Sequence, residues 1–151
     1  MSRDEEEFET LLEKLLEKLV ESLRREREAE AIQKITLVKE VKEIIGRKSF
    51  EEFIRSNRVA IICFYSPRCP ACKRYLPVFN SIAKKFSPRI AFGVLNIKDS
   101  RNREIVLDKE VFIIPTTTIY VDGKEVTKKT GYMDEEELTL FIEINTKLTQ
   151  K

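Results

Sequence analysis

The longest regular pattern of apolar and polar positions lies at the start of the chain. Phe8, Leu11, Leu12, Leu15, Leu16, Leu19, Val20 and Leu23 follow one another in steps of three and one. That spacing gathers them on one helical face and predicts a single helix from residue 4 to about residue 35. A helix broken near Arg24–Arg27 is the alternative. The face covers about half the circumference. It is wider than the seam of a two-stranded coiled coil and lasts only about two heptads. Acidic residues at its start, with Arg24, Arg25 and Arg27 further on, suit the helix macrodipole if the helix ends soon after them. A bare apolar face is unfavourable in water. Three surfaces compete to cover it: the remainder of the same chain, the same helix of a second copy, or a different partner.

Beyond it the periods shorten and alternate. Val38 to Ile45 reads as a short first strand ended by Gly46. Ser49, with Glu52 three residues on, reads as a capping box opening a short helix to about Asn57. Val59–Tyr65 is an unbroken apolar run, expected as a buried strand. After Pro70, the spacing of Leu76, Phe79, Ile82, Ala83 and Phe86 is helical, with Pro77 inside and expected to bend the helix. Ser87-Pro88 is a stop, Ile90 to Ile97 another buried strand, and residues 100–110 a short helix around Ile105, Val106 and Leu107. Thr116–Val121 and Glu125–Thr130 flank Asp122-Gly123, a strong hairpin signal. Gly131 then breaks the chain, and Asp134 to about Lys147 closes it as a helix carrying Leu138, Phe141, Ile142 and Ile144. Strand and helix therefore alternate as β-α-β-α-β-α-β-β-α, the order of an α/β protein whose central sheet is flanked by helices.

Composition divides this picture in two. The 151 residues, 42% hydrophobic, suffice for one ordinary core and an appendage. Residues 1–37 hold 11 acidic and 7 basic side chains, whereas residues 38–151 hold 15 acidic and 21 basic. We expect a helical extension over 1–37 and an α/β domain over 38–151. No apolar run approaches the roughly 20 residues needed to cross a bilayer. The acidic start, Asp4-Glu5-Glu6-Glu7, is unlike a signal peptide. A cytoplasmic location follows as the expectation. The Glu-rich polar side of the first helix argues against anionic membrane surfaces, and no nucleic-acid partner is expected. The many Lys and Glu residues, without His or Trp, resemble the bias of thermophile proteins.

The chemistry concentrates in Cys69-Pro70-Ala71-Cys72, where the buried strand hands over to a helix. A thiolate is the reactive form of cysteine, and the unpaired amides of a helix N-terminus favour negative charge. Cys69 is so placed, and Pro70 suits the first helical position. Cys72 lies one turn further in, on the packed side. Cys69 is thus the expected nucleophile and Cys72 the resolving thiol. A zinc site is the competing reading of two cysteines so spaced, but three cysteines and no histidine cannot supply four Cys/His ligands. A purely structural disulfide would close a very small loop and constrain little. No metal or organic cofactor is expected. Arg68, Lys73 and Arg74 should favour a Cys69 thiolate, and a more stable thiolate makes the disulfide a stronger oxidant. Cys63, inside the buried strand, is read first as a small hydrophobe; the sharper alternative is an accessory thiol that exchanges with Cys72.

From about Val41 to Lys147 the chain resembles the thioredoxin family. The resemblance rests on the strand before C-x-x-C, Pro77 five residues after Cys72, Leu95-Asn96-Ile97, Ile114-Pro115-Thr116 before a hairpin, Gly123 and Gly131. It implies the thioredoxin fold and thiol-disulfide exchange on protein disulfides, with electrons from a thioredoxin-reductase-like donor. It also implies that Pro115 is a cis-proline facing the site and that the Ile114 backbone pairs with an extended substrate. The chain departs from the family pattern where Arg68 replaces a tryptophan, Pro70-Ala71 replaces Gly-Pro, and Cys63 and Val94 replace a buried Asp and Lys. The family's buried proton acceptor for the resolving thiol is then absent. Two other readings compete. One is a glutaredoxin-like, glutathione-dependent reductase, weakened by the lack of a Gly-Gly pair after the Ile-Pro strand. The other is an interaction module whose N-terminal helix dimerises or docks a partner.

Overall fold

The computed structural model describes residues 3–32 and 36–149. They form two compact units, treated separately. The first is one helix, α1, Arg3–Ile32. It passes unbroken through Arg24–Arg27, and the expected end near residue 35 lies outside the described residues. Because it continues beyond these arginines, none of them stands in its last turn. The expected macrodipole role for that cluster is therefore overturned. All eight apolar residues from Phe8 to Leu23 are exposed, between 47% and 66%. Among the described residues no helix is long and apolar enough to cross a membrane.

The second unit runs β1 (Val41–Glu43), α2 (Arg47–Ser56), β2 (Val59–Tyr65), α3 (Pro70–Phe86), β3 (Ala91–Asn96), a 3-10 turn (Ser100–Asn102), α4 (Arg103–Asp108), β4 (Thr116–Val121), β5 (Lys124–Thr130) and α5 (Glu135–Thr146). The five strands form one mixed sheet in the order β1-β3-β2-β4-β5. β1 and β2 pair parallel to β3, and β4 pairs antiparallel to both β2 and β5. Alternation along β2 sorts the core into two layers. Val59, Ile61, Cys63 and Tyr65 pack with Cys72, Phe79 and Ile82 of α3 and with Leu138 and Ile142 of α5. Ala60, Ile62 and Phe64 pack with Phe50, Phe53 and Ile54 of α2 and Ile105 of α4. Every residue of β2 is buried. Thr36 joins this unit, its carbonyl accepting from Asn80 Nδ2 at 3.1 Å, and Leu37 and Val38 pack on the core.

Local chemistry moved some boundaries. The first strand is only three residues long, although Ile44 N–H still donates to Val94 O at 2.8 Å. The Ser49 capping box does not form. Gly46, at φ 87°, starts α2 earlier and leaves Ser49 inside the helix, with no side-chain cap hydrogen bond; a positive φ there suits glycine. The Gly46 N–H instead donates to the Asn102 side chain at 2.8 Å. The Asp122-Gly123 hairpin has φ 52° and 80° at its two central residues, as a type I′ turn requires. In α5, Asp134 caps the helix by accepting from Glu137 N at 2.8 Å, while Ile144 proves exposed.

Asn102 is the buried polar knot of the unit. Besides accepting from Gly46, it donates through Nδ2 to Asn96 O at 2.9 Å and reaches Ile44 O at 3.4 Å. One side chain thus holds the ends of β1 and β3 to the start of α2. Replacing Asn102 by alanine strands a donor and an acceptor near the core, and we expect a loss of about 2–3 kcal/mol, read as a lower urea midpoint at unchanged slope. A midpoint equal to that of the unaltered chain would show that the knot is dispensable.

Candidate active site

β2 delivers the chain to the site. After Tyr65 the backbone passes Ser66, Pro67 and exposed Arg68, and Cys69 N–H donates back to Ser66 O at 3.2 Å. Cys69, extended at φ −78° and ψ 117°, is the N-cap of α3, with Pro70 at the first helical position. Its carbonyl accepts from Lys73 N at 3.1 Å, closing the first helical turn. Its sulfur accepts from Cys72 N at 3.4 Å. A sulfur in that position takes the place of the oxygen of a Ser or Asp cap, and the amide aimed at it favours charge there.

Opposite stands the loop before β4. The Ile114–Pro115 peptide is cis, Pro115 is buried, and Cys69 Sγ lies 4.0 Å from the Ile114 carbonyl oxygen. Gly131 N–H donates to Pro115 O at 2.7 Å and ties the loop to the end of β5. The structure therefore brings Cys69, Cys72, Pro70, Ile114 and Pro115 together, with Arg68 exposed on the adjoining loop. Among the described residues no group of three or more His, Cys, Asp or Glu side chains could hold a metal ion.

The two motif thiols differ sharply in surroundings. Cys69 is half-buried, whereas Cys72 is 0% exposed. Burial first, and then a hydrogen bond to the Cys69 side chain, pushes the Cys72 thiol up to about 12. Beneath them lies Cys63, paired across the sheet with Val94 and Thr117. Burial also pushes its thiol well above the ordinary range, with the neighbouring Cys72 and Cys69 adding to the effect. All three cysteines are free.

Two features escaped the sequence reading. Tyr75 and Thr117, both fully buried, share a 2.7 Å hydroxyl–hydroxyl hydrogen bond under the site. Their cue was a tyrosine at an apolar position of α3, but its partner is 42 residues away. The other is Phe112 and Ile113, 84% and 59% exposed immediately before Ile114. Their cue was an apolar run in a loop, Val111 to Ile114, of which only Val111 is buried.

A five-stranded mixed sheet with paired thiols at a helix start, facing a cis-proline loop, defines the class of thioredoxin-fold proteins. The chain belongs to the thioredoxin family, whose family model, described as Thioredoxin, matches residues 41–144. It is 32% identical over 99 residues to a thioredoxin of Chlamydia pneumoniae, covering 66% of this chain and 93% of that one. It is 30% identical over 96 residues to protein disulfide-isomerase A5 of Bos taurus, covering 62% of this chain but only 18% of that larger protein. Among solved structures, a mutant thioredoxin of Halobacterium salinarum NRC-1 shares the fold, with a TM-score of 0.65 at 23% identity over 76% of this chain and 98% of that one. The relatives place the chain among thiol-disulfide oxidoreductases in the general sense.

The difference in exposure sets the reactivity. With its thiol pushed up by burial, Cys72 stays almost wholly protonated at neutral pH. Iodoacetamide at pH 7–8 should label Cys69 at least ten times faster than Cys72, and Cys63 slowest, with denaturant levelling all three. Mass mapping of the labelled peptides checks this, and equal rates in the folded chain would contradict the assignment.

Proposed function

We propose that this chain exchanges disulfides in other proteins from a cytoplasmic location, with residues 38–151 carrying the chemistry and residues 1–37 as a separate extension. The observation that carries the reading is the pair of unequal sulfurs: Cys69 reachable and met by the Cys72 amide at 3.4 Å, Cys72 sealed behind it.

The Cys69 thiolate attacks one sulfur of a substrate disulfide; the substrate S–S bond breaks, and the leaving sulfur takes a proton. Cys72 then gives up its proton and attacks Cys69 Sγ. The mixed disulfide breaks, the second substrate thiol leaves, and a Cys69–Cys72 disulfide remains. Two electrons have passed to the substrate. An external dithiol reductase of the thioredoxin-reductase kind must return them. Pro70 presets the helix start, and Ile114, with Pro115 behind it, offers backbone to an extended substrate segment within reach of Cys69 Sγ, which lies 4.0 Å from the Ile114 carbonyl. Arg68 adds positive charge to the approach, and the chemistry needs no metal or organic cofactor. Cys63 acts as packing beneath the pair.

Insulin reduction with dithiothreitol as electron donor tests this. Cys69→Ser should abolish turnover. Cys72→Ser should retain the first attack and accumulate a mixed disulfide visible by intact mass. Full activity in Cys69→Ser would end the proposal.

Phe112 and Ile113 extend the Ile114 edge as an apolar shelf for the substrate chain. Phe112→Ser should raise KM for a protein disulfide severalfold while leaving reduction of a small aliphatic disulfide unchanged. An equal effect on both substrates would mean that the shelf supports the fold instead.

A further inference from the structure

The positive charge of the second unit is not spread evenly over it. From Phe53 to Lys98, 46 residues hold nine basic side chains and no acidic one. Elsewhere in the unit, residues 35–52 and 99–151 hold 12 basic and 15 acidic side chains. The stretch without an acid is the one that carries Cys69 and Cys72. Several of its cations are used locally. Arg55 pairs with Glu51 at 3.4 Å, Arg89 donates to the Thr149 carbonyl, and Lys84 and Lys85 stand in the last turn of α3, where the macrodipole favours them.

Arg68, Lys73 and Arg74 stand at the other end of α3. No acidic residue occupies its first turn, whereas α1 and α5 each open on three. Cations at a helix N-terminus oppose the macrodipole, so α3 itself gains nothing from them. Lys73 lies one turn from Cys69, its N–H donating to the Cys69 carbonyl at 3.1 Å, and Arg74 lies one turn from exposed Pro70. Helical side chains lean toward the N-terminus, which carries both cations toward the rim where Cys69 stands. Arg68 and Arg74 are exposed and Lys73 is half-buried. Lys73 shares the flank of Cys69 and suits the thiolate. Arg74 sits about 100° further round, on the open side with Pro70, so its charge meets whatever approaches the site.

The opposite wall is neutral. No charged side chain occurs from Val111 to Val121, and Gly131, Tyr132 and Met133 add none. Of the acids nearby in sequence, Asp99 holds Arg101 at 2.7 Å, Asp134 accepts from Glu137 N–H at 2.8 Å, and Glu110 is preceded by Lys109. We infer that the Cys69 site selects protein disulfides flanked by acidic residues, whose carboxylates meet Arg68 and Arg74 while apolar residues lie along Phe112 and Ile113. The inference deepens the disulfide-exchange reading and rests on it. The partner is an acidic polypeptide segment, and Arg68 and Arg74 set the preference. Opposite charge speeds the encounter, and salt weakens it.

Three short peptides, each closed by one internal disulfide and flanked by Glu, Ala or Lys, test this in single turnovers with the pre-reduced intact chain. Acid-quenched samples are read by chromatography, and each rate is divided by that of dithiothreitol alone on the same peptide. At low ionic strength the Glu peptide should be reduced about tenfold faster than the Lys peptide, with the Ala peptide between them. Sodium chloride at about 0.5 M should bring that ratio below about threefold. Arg74→Gln should lower the ratio at least threefold, and Arg68→Glu/Arg74→Glu should reverse the order. Lys84→Glu/Lys85→Glu, at the far end of α3, should leave the ratio unchanged. Equal rates on the Glu and Lys peptides, with the Ala peptide reduced, would overturn the selectivity and leave disulfide exchange standing; retention of the chain on a duplex DNA oligonucleotide would then give the charge to nucleic acid. Reduction of none of the three would end both readings. A ratio unmoved in both arginine variants would overturn the assignment to Arg68 and Arg74.

Discussion

A strand with no face toward solvent decides where the sulfurs stand. β2 is buried at every residue between two layers of helices and between β3 and β4. Its C-terminal end must therefore emerge in the middle of one sheet edge. The chain leaves the sheet through the short turn Ser66–Cys69, and Pro70 starts the helix immediately after Cys69. Cys69 is left at the rim, while helical rotation carries Cys72 inward against the layer of Cys63, Tyr75 and Phe79. Three residues of sequence thus separate a half-buried thiol from a fully buried one. The asymmetry of the chemistry is this asymmetry of burial.

The same logic explains what could be read from the sequence. Patterns set by a single element were legible. These include the apolar run of β2, the 3.6 period of α3, and the turn Asp122-Gly123, where two positive φ values are needed. The motif cysteines were legible because they sit at a strand-to-helix junction that local chemistry marks, whereas the cis Pro115 facing the site was an expectation carried by the family resemblance. What depended on distant partners was hidden. The Ser49 capping box failed because Asn102, more than 50 residues away, engages the Gly46 amide, so α2 begins where a long-range hydrogen bond places it. Tyr75 gave no sign that its hydroxyl would be satisfied by Thr117. The outward stance of Phe112 and Ile113 was equally hidden, because apolar character says nothing about which side of a loop faces out.

The site floor shows how the fold tolerates such exchanges. Cys63 sits on β2 opposite Thr117. The hydroxyl of Thr117 meets that of Tyr75, so the polar atoms under the dithiol satisfy each other without a charge. A neutral, satisfied floor can be fully buried at little cost, whereas an unpaired carboxylate could not. Desolvation is then the first influence on both buried thiols. Holding Cys72 as a thiol therefore needs no partner beyond the apolar layer itself and the neighbouring Cys69.

Periodicity has one further limit, and α1 and α3 expose it together. Both carry apolar residues at three- and four-residue steps. In α3 those positions are sealed, with Phe79, Ile82, Ala83 and Phe86 at 0% exposure, while in α1 every corresponding position is open. The pattern states that a face wants cover; only the charges beside it can say by what. In α3 the flanking Lys84 and Lys85 lie in the last turn and complement the helix end. In α1 the arginines stand well before the end of the helix, where the macrodipole has no use for them. The groups proposed for the thiol chemistry all come from the second unit.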